Sequence, residues 1–198
     1  MSAKISVVIP LYNKEREIER AIESVLRQTH QDFEVIVVDD CSSDGGADIV
    51  KNFRDPRVLF VEQGHRGVAF TRNHGAQLAT ADYIAFLDAD DEWLPRHLEA
   101  INRLVDNWPA AGIYTTAYKI QERDGRIRWA NYRCIPEAPW EGLIPDYFRS
   151  ICFGDFPVHT SCAVIPKRIF AEMEGFAEGY WGEDADLFAR IALKYPVA

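Results

Sequence analysis

Hydrophobic and polar residues follow two alternating periods along the first half of the chain. Four short runs are almost continuously apolar, as in strands buried on both faces of a parallel sheet. They are ISVVIP at 5–10, FEVIVVDD at 33–40, RVLFVEQ at 57–63 and YIAFLDAD at 83–90. The segments between and after them, 13–30, 42–53, 67–80 and 95–108, place apolar residues at helical spacing. Strand–helix repeats of this kind predict an α/β fold with a mostly parallel, doubly wound central sheet.

The pattern changes after residue 108. Strand-like segments at 112–120 and 126–134 flank QERDGR, whose Asp124-Gly125 pair is typical of a hairpin turn. A further strand is predicted at 159–166 and a last amphipathic helix at 182–194. The length of 198 residues suits a single domain. We therefore expect a small antiparallel addition in the C-terminal half of that domain.

Composition and charge narrow the possible partners. The net charge of −9 argues against nucleic-acid binding, because affinity for a phosphate backbone depends on neutralising cations. No run approaches the roughly 20 apolar residues of a membrane-spanning helix, and the four cysteines form no CxxC pair. We predict a cytoplasmic protein with reduced thiols, with peripheral association at the inner face of the membrane left open. Because the chain ends directly after the last predicted helix, we also expect it to be truncated.

Polar and acidic residues follow the carboxyl ends of several predicted strands. In open α/β sheets these ends form one edge, where ligands bind. Ionised carboxylates gathered there would repel one another, so a pKa must rise or a cation must bind. Mg²⁺ or Mn²⁺ takes oxygen ligands, usually one or two carboxylates together with substrate phosphates. We expect carboxylates from separate strand ends to converge on one such ion, and the alternative is a solvated acidic turn before a helix. The acidic residues are Asp39, Asp40, Asp88, Asp90 and Asp91.

Three separated segments carry a family resemblance. They are SVVIPLYNKEREIERAIESVLRQTHQDFEVIVVDDCSSDGG at 6–46, GVAFTRNHGAQLATADYIAFLDADDEWLPRHLE at 67–99 and WGEDADLFAR at 181–190. In this order and spacing they resemble the family-2 glycosyltransferases, which have the Rossmann-like A-type glycosyltransferase fold. The resemblance implies inverting, metal-dependent transfer of a sugar from a nucleotide-diphospho-sugar, most commonly a UDP-sugar, to an acceptor hydroxyl. It also implies Mg²⁺ or Mn²⁺ as cofactor and a role in cell-surface polysaccharide or glycolipid synthesis.

The resemblance implies roles for residues on the donor side. Tyr12 would stack on the base, Glu15 would bond near the ribose or base, and Asp40 would accept a hydrogen bond from the base edge. Arg72, or else Arg66, would place a cation on the phosphates. Other interpretations remain open: Tyr12 as a core aromatic residue and Arg72 as a solvated helix charge. The full predicted nucleotide set is Pro10, Tyr12, Asn13, Glu15, Asp40, Arg72 and Asp88.

The resemblance also implies a metal pair and a catalytic pair. In the D-x-D pair, Asp88 would lie near the ribose and metal, and Asp90 would bind the metal itself. Asp184 of the E-D pair would be the general base beside Glu183, although either acid could instead cap the last helix. Trp181 could stack on a sugar of the acceptor, or it could pack in the core.

The two halves of the chain are expected to bind different substrates. Residues 1–108 would form the nucleotide-sugar-binding half of the domain, and residues 109–198 the acceptor-side half. The acceptor would be a saccharide, a lipid-linked compound or another hydroxyl compound.

Two other functions remain as alternatives. A nucleotidyltransferase would need a glycine-rich phosphate loop after the first strand, and IPLYNKE at 9–15 contains no glycine. A catalytically inactive nucleotide-sugar-binding module would be expected to have lost Asp90 and Asp184, and both are present.

Overall fold

The computed structural model describes residues 3–179 and 181–198. The strands are β1 (Ile5–Leu11), β2 (Phe33–Asp39), β3 (Val58–Glu62), β4 (Tyr83–Phe86), β5 (Lys119–Gln121), β6 (Ile127–Trp129) and β7 (Val164–Pro166). The helices are α1 (Ile18–Leu26), α2 (Gly46–Lys51), α3 (Val68–Leu78), α4 (His97–Asn107), α5 (Tyr147–Phe153), α6 (Lys167–Glu172) and α7 (Glu183–Ala192). A 3₁₀ turn lies at Thr160–Cys162.

The central sheet has five strands in the order β3-β2-β1-β4-β7. The first four strands are parallel, and β7 adds antiparallel to β4 at one edge. Strands β5 and β6 form a separate antiparallel hairpin around Asp124-Gly125. The predicted α/β class, the mostly parallel doubly wound sheet and the small antiparallel addition are therefore confirmed.

Two apolar cores cover the two faces of the sheet, because neighbouring residues of a strand point to opposite sides. On one face, Val7 packs in a core that includes Ile22 of α1 and Leu98 of α4. On the other, Val8 packs with Ala76 of α3 and Leu187 of α7. Burial on both faces explains why β1 and β2 are continuous apolar runs in the sequence.

The second half differs from the sequence prediction in several elements. The strand predicted at 112–120 is reduced to isolated bridges at Ile113 and Tyr114 and the three residues of β5. The strand predicted at 159–166 begins as the 3₁₀ turn, because side chains there bond to acidic residues instead of extending a ladder. Helices α5 and α6 were not predicted, although Asp146 caps α5 by accepting from the Arg149 N–H at 2.9 Å.

None of the helices within 3–179 and 181–198 combines the length and apolar character needed to cross a bilayer. The longest, α3 and α4, have 11 residues each, about half of what a membrane span requires.

Helix α3 lies unusually close to strand β1 at Gly75. A Cβ atom built on Gly75 would lie 2.3 Å from Cγ1 of Val8, a residue with no exposed surface. This contact fixes the distance of α3 from the sheet, and α3 carries Arg72 of the predicted site.

We expect Gly75→Ala to lower the free energy of unfolding by about 1–3 kcal/mol, because the added methyl group overpacks a filled core. Helix propensity alone would favour alanine by about 1 kcal/mol. A net decrease in the free energy of unfolding would therefore be due to the steric contact with Val8. Urea unfolding of Gly64→Ala is the control, since a Cβ there meets no described atom within 4 Å. A Gly75→Ala variant as stable as the wild type would show that α3 can shift away from β1.

Candidate active site

A cleft opens at the carboxyl ends of β1, β2 and β4. Six residues predicted from the sequence line it: Pro10, Tyr12, Asp40, Arg72, Asp88 and Asp90. Lys14 and His65 also line it and were not predicted. The sequence did not indicate that these two residues belong to the cleft, because a lysine or histidine in a loop is usually a surface residue.

Strand register explains why these residues meet. Leu11 pairs with Asp39 at the end of β1 and β2, and the Asp40 N–H donates to the Leu11 carbonyl at 2.8 Å. On the other side of β1, the Leu87 N–H donates to the Val8 carbonyl at 3.0 Å. The strand register therefore places Asp40 and Asp88 on opposite sides of the segment that follows β1.

Asp40 is buried and its carboxylate is fully engaged by the protein. Oδ1 accepts from Gln63 Nε2 at 2.9 Å and from the Arg66 N–H at 2.8 Å. Oδ2 accepts from the Gly67 N–H at 2.9 Å and lies 2.9 Å from His65 Nδ1. Burial alone would raise the pKa of Asp40, but these hydrogen bonds and His65 outweigh it and lower the pKa. Asp40 is therefore ionised at neutral pH and organises the loop from Gln63 to Gly67.

Asn13 and Glu15 bind a neighbouring loop and lie outside the cleft lining that the described residues form. Asn13, at a φ of 52°, accepts through Oδ1 from the Ser43 N–H at 2.8 Å. Glu15 accepts through Oε2 from the Gly45 N–H at 3.2 Å. Both side chains thus fix the segment after β1 against the segment after β2, and direct contact with a nucleotide remains a prediction.

Tyr12 is not a core aromatic residue, because 47 % of its surface is exposed. Its ring lies 4.6 Å from the His65 ring, with 31° between the planes. Tyr12 therefore has exposed surface in the cleft for the predicted stacking on a base, and the His65 ring lies beside it.

The acidic turn after β4 is stabilised in three different ways. Asp88 Oδ1 accepts from Arg72 Nη2 at 2.6 Å, and Asp90 Oδ2 accepts from Lys14 Nζ at 2.7 Å. Asp91 Oδ2 accepts from Ser161 Oγ at 2.5 Å. Desolvation, together with the charges of Asp88 and Asp90, raises the pKa of Asp91. Repulsion within this turn is therefore offset by two side-chain cations and one raised pKa, whereas the predicted binding of a divalent ion stays a prediction.

Arg72 is a buried residue and not a solvated helix charge. Only 6 % of its side chain is exposed, and Nη1 donates to Glu183 Oε1 at 2.8 Å while Nη2 donates to Asp88. Burial alone would lower the pKa of Arg72, but the two carboxylates outweigh it and raise the pKa. Arg72 therefore links the D-x-D turn to the E-D pair. Both Nη atoms of Arg72 already donate to carboxylates. Contact between Arg72 and phosphates therefore stays a prediction.

The E-D pair lies in the first turn of α7. The N-cap is Gly182, so neither acid is the cap, although both complement the helix dipole there. Asp184 Oδ2 accepts from Thr160 Oγ1 at 3.0 Å, and Oδ1 accepts from the Ala185 N–H at 2.7 Å. Trp181, just before them, is 99 % exposed, which excludes the alternative of core packing. Its contact with an acceptor remains a prediction.

The metal expectation needs one correction. Among the described residues, no group of three or more histidine, cysteine, aspartate or glutamate side chains is arranged to hold a metal ion. Asp40 is engaged by protein donors, so carboxylates from separate strands do not converge on one ion. Asp88 and Asp90 remain, and two carboxylates are the usual protein contribution to an ion that arrives with phosphates. The pair thus fits Mg²⁺ or Mn²⁺ bound together with a diphosphate.

Comparison with known proteins places this geometry in a family context. Residues 6–173 match the family described as "Glycosyl transferase family 2". The chain is 34% identical over 202 residues to glycosyltransferase GlyG of Streptococcus pneumoniae serotype 4, covering 98% of this chain and 66% of that protein. Among the first curated relatives, the chain spans from 28% to 66% of their length.

Solved structures share the fold at low sequence identity. The mannosyltransferase PcManGT from Pyrobaculum calidifontis, solved with GDP-Man and Mn²⁺, has a TM-score of 0.73 at 20% identity, over 100% of this chain and 54% of that one. TarS 1–349 of S. aureus, solved with UDP-GlcNAc, has a TM-score of 0.75 at 21% identity, over 98% of this chain and 58% of that one. The A-type glycosyltransferase fold implied by the sequence is therefore confirmed.

We expect Arg72→Met to lower the free energy of unfolding by about 3–5 kcal/mol, since it leaves Asp88 and the nearly buried Glu183 without their shared cation. Adding Glu183→Gln should recover part of the loss, because one uncompensated charge is removed. Urea unfolding of the single and double variants measures both effects.

Arg103→Met is the matched control. Arg103 also contacts two carboxylates, Glu99 at 3.3 Å and Glu141 at 2.6 Å, but 43 % of its side chain is exposed. Exposed pairs of this kind contribute about 0–1 kcal/mol. Equal losses for the two arginine variants would contradict the importance of burial at Arg72.

Proposed function

The chain belongs to glycosyl transferase family 2, and from this we propose that it transfers a sugar from a nucleotide-diphospho-sugar to an acceptor hydroxyl. We propose inversion at the anomeric carbon, since Asp184 of the E-D pair is a carboxylate that could act as the general base of a single displacement. The observation that carries the proposal is the cleft, which collects six residues predicted for the donor and metal, five of them from three strand ends and Arg72 from α3. The activity of the whole protein is part of this proposal, because the chain spans only part of its relatives.

The proposed donor is a UDP-sugar. The exposed ring of Tyr12 supplies a stacking surface for the base, and Pro10 and Asp88 line the same cleft. Lys14 supplies a cation for the diphosphate. The neighbouring structures solved with UDP-GlcNAc and GDP-Man support a nucleotide-sugar of this general class.

Asp88 and Asp90 would hold Mg²⁺ or Mn²⁺. When bound, such an ion neutralises negative charge on the leaving nucleoside diphosphate. The Lys14–Asp90 pair is 40 % and 48 % exposed, so it can open at little cost when an ion and phosphates enter. Arg72 meanwhile keeps Asp88 in position by its buried bond.

Asp184 is the proposed general base. It would take the proton of the acceptor hydroxyl as that oxygen attacks the anomeric carbon and the bond to the diphosphate breaks. Thr160 orients the carboxylate through its hydroxyl. Glu183 is paired with buried Arg72, so we assign it a positioning role and leave proton transfer to Asp184.

The acceptor and the compartment complete the proposal. We propose that residues 1–108 bind the donor and residues 109–198 the acceptor, with exposed Trp181 as a flat surface for a sugar. A saccharide or lipid-linked acceptor in polysaccharide or glycolipid synthesis fits this arrangement. All four cysteines, each in the described part of the chain, are free, and three are exposed. Free exposed thiols suit the reducing cytoplasm, with peripheral contact at the inner membrane face.

We expect Mn²⁺ to strengthen UDP binding by about 10-fold or more, because Asp90 would hold the ion and the ion would supply positive charge for the phosphates. Asp90→Asn should abolish this enhancement while leaving metal-free UDP binding largely intact. Isothermal titration with and without Mn²⁺ measures both.

Glu92→Gln controls for general charge at this turn, since Glu92 is 57 % exposed and pairs with Arg20 at 3.6 Å. It should keep the Mn²⁺ enhancement. If the wild type binds UDP with the same affinity with and without Mn²⁺, the metal role of Asp90 is ruled out.

We expect Asp184→Asn to reduce sugar transfer by about 10²–10⁴-fold, because general base catalysis is lost, and to leave the Kd for UDP within about 2-fold. The measurement is UDP release from UDP-GlcNAc and other UDP-sugars with soluble saccharide acceptors.

Asp186→Asn is the matched control, because Asp186 occupies the same helical turn but bonds Arg190 at 2.8 Å. It should retain transfer within about 3-fold. An active Asp184→Asn variant would reassign the base, and a wild type that binds UDP without any turnover would favour an inactive binding module.

A further inference from the structure

A basic segment lies within this acidic chain. Residues 119–133, which contain the β5-β6 hairpin, carry five basic and two acidic side chains, a net charge of +3 in a chain whose net charge is −9. All five basic residues are exposed, and none of them lines the cleft that the described residues form. They are Lys119, Arg123, Arg126, Arg128 and Arg133. The proposed donor and metal site therefore does not account for these cations.

The hairpin has two different faces, because neighbouring residues of a strand point to opposite sides. Arg128 is directed toward the rest of the domain, where Nη1 donates to Asp155 Oδ2 at 2.6 Å. Ile127 and Trp129 point the other way and are 65 % and 56 % exposed. Lys119 pairs with Trp129 across the hairpin, and its Nζ lies 4.9 Å from the centre of that ring. Lys119, Ile127 and Trp129 thus form an outer hairpin face that combines a cation with two large apolar side chains.

The outer hairpin face suits the headgroup region of a lipid bilayer better than a protein partner. Tryptophan is enriched at membrane–water interfaces, where its ring lies between lipid tails and water. Each lysine or arginine close to an anionic membrane surface contributes about 1 kcal/mol. A stable protein interface uses about 20–30 residues on each side, whereas β5 and β6 have three residues each. The small size and positive charge of the face therefore favour an anionic lipid surface.

The hairpin begins near the proposed general base. Tyr118 directly precedes β5, and its ring lies 5.3 Å from the His159 ring. The residue after His159 is Thr160, whose hydroxyl donates to Asp184. A hairpin held at a bilayer would thus keep the proposed base close to acceptors that are anchored in lipid.

We propose that the outer hairpin face docks on the surface of an anionic lipid bilayer. Ile127 and Trp129 enter the headgroup region, while Lys119 and Arg126 contact lipid phosphates. Arg126 pairs with Asp124 at 2.7 Å, but both side chains are largely exposed, and a pair of this kind opens at little cost. The inference rests on the proposed peripheral contact with the membrane, and it names the surface and the lipid charge for that contact.

The test is cosedimentation of the chain with vesicles of phosphatidylglycerol and phosphatidylcholine in equal parts, compared with vesicles of phosphatidylcholine alone. The wild type should bind the mixed vesicles about 10-fold more tightly, since at least two cations contribute. Ile127→Ser combined with Trp129→Ser should weaken binding to the mixed vesicles about 10-fold, because buried apolar surface is lost. Lys119→Gln combined with Arg126→Gln should remove most of the preference for the mixed vesicles.

Leu59→Ser and Arg27→Gln are the matched controls. Leu59 is an exposed apolar residue of β3, and Arg27 is an exposed cation at the end of α1. Both variants should bind the mixed vesicles as the wild type does. All variants should bind UDP in the presence of Mn²⁺ with the affinity of the wild type, which checks that they are folded.

Four outcomes separate the possibilities. Equal binding to the two kinds of vesicle, or full binding by either hairpin double variant, would overturn the inference. A dimeric wild type that Trp129→Ser converts to a monomer, measured by light scattering, would also overturn it, since the face would then be a protein interface. A wild type that binds UDP but no vesicles would overturn the inference and leave the proposed donor intact. Vesicle binding without UDP binding would instead overturn the proposed donor and support the hairpin surface.

Discussion

The arrangement of the cleft depends on one buried cation. Arg72 lies on a helix packed against β1, and its guanidinium joins Asp88 after β4 to Glu183 at the start of α7. A buried charge is tolerated only when it is paired, so the last helix must be placed where its carboxylate reaches Arg72. The two halves of the chain are therefore connected through charge as well as through the apolar core. One cation between two carboxylates also leaves negative charge in excess.

That excess charge accounts for the neighbouring contacts. Asp90 is neutralised by Lys14, and Asp91 is held by Ser161 with a raised pKa. Ser161 belongs to the 3₁₀ turn whose first residue, Thr160, bonds Asp184. A single turn of three residues thus contacts both the acidic loop and the proposed base. The turn therefore links the acidic loop after β4 to Asp184 at the start of α7 through two side-chain hydrogen bonds.

The sequence predicted what depends on burial or on strand ends. The runs at 5–10 and 33–40 were recognisable because a strand covered on both faces must be apolar throughout. The positions of Asp40, Asp88 and Asp90 followed from the rule that parallel strands end at one edge. Lys14 and His65 could not be predicted, because their partners lie 76 and 25 positions away. The hairpin was predicted from Asp124-Gly125, but the length of its strands was not, since β6 is exposed throughout and its residues show no buried periodicity.

The contacts differ in how readily a ligand could replace them, and this difference bears on function. Arg72 is almost fully buried with its carboxylates, so separating them would leave charges without water or partners. The Lys14–Asp90 pair is about half exposed, and pairs of that kind contribute about 0–1 kcal/mol. In the proposed function, a metal ion and a diphosphate would therefore replace Lys14 on Asp90 while Arg72 keeps its bonds to Asp88 and Glu183. In the proposed function, ligands would replace this exposed ion pair while the buried pairs hold Asp88 and Glu183 in place.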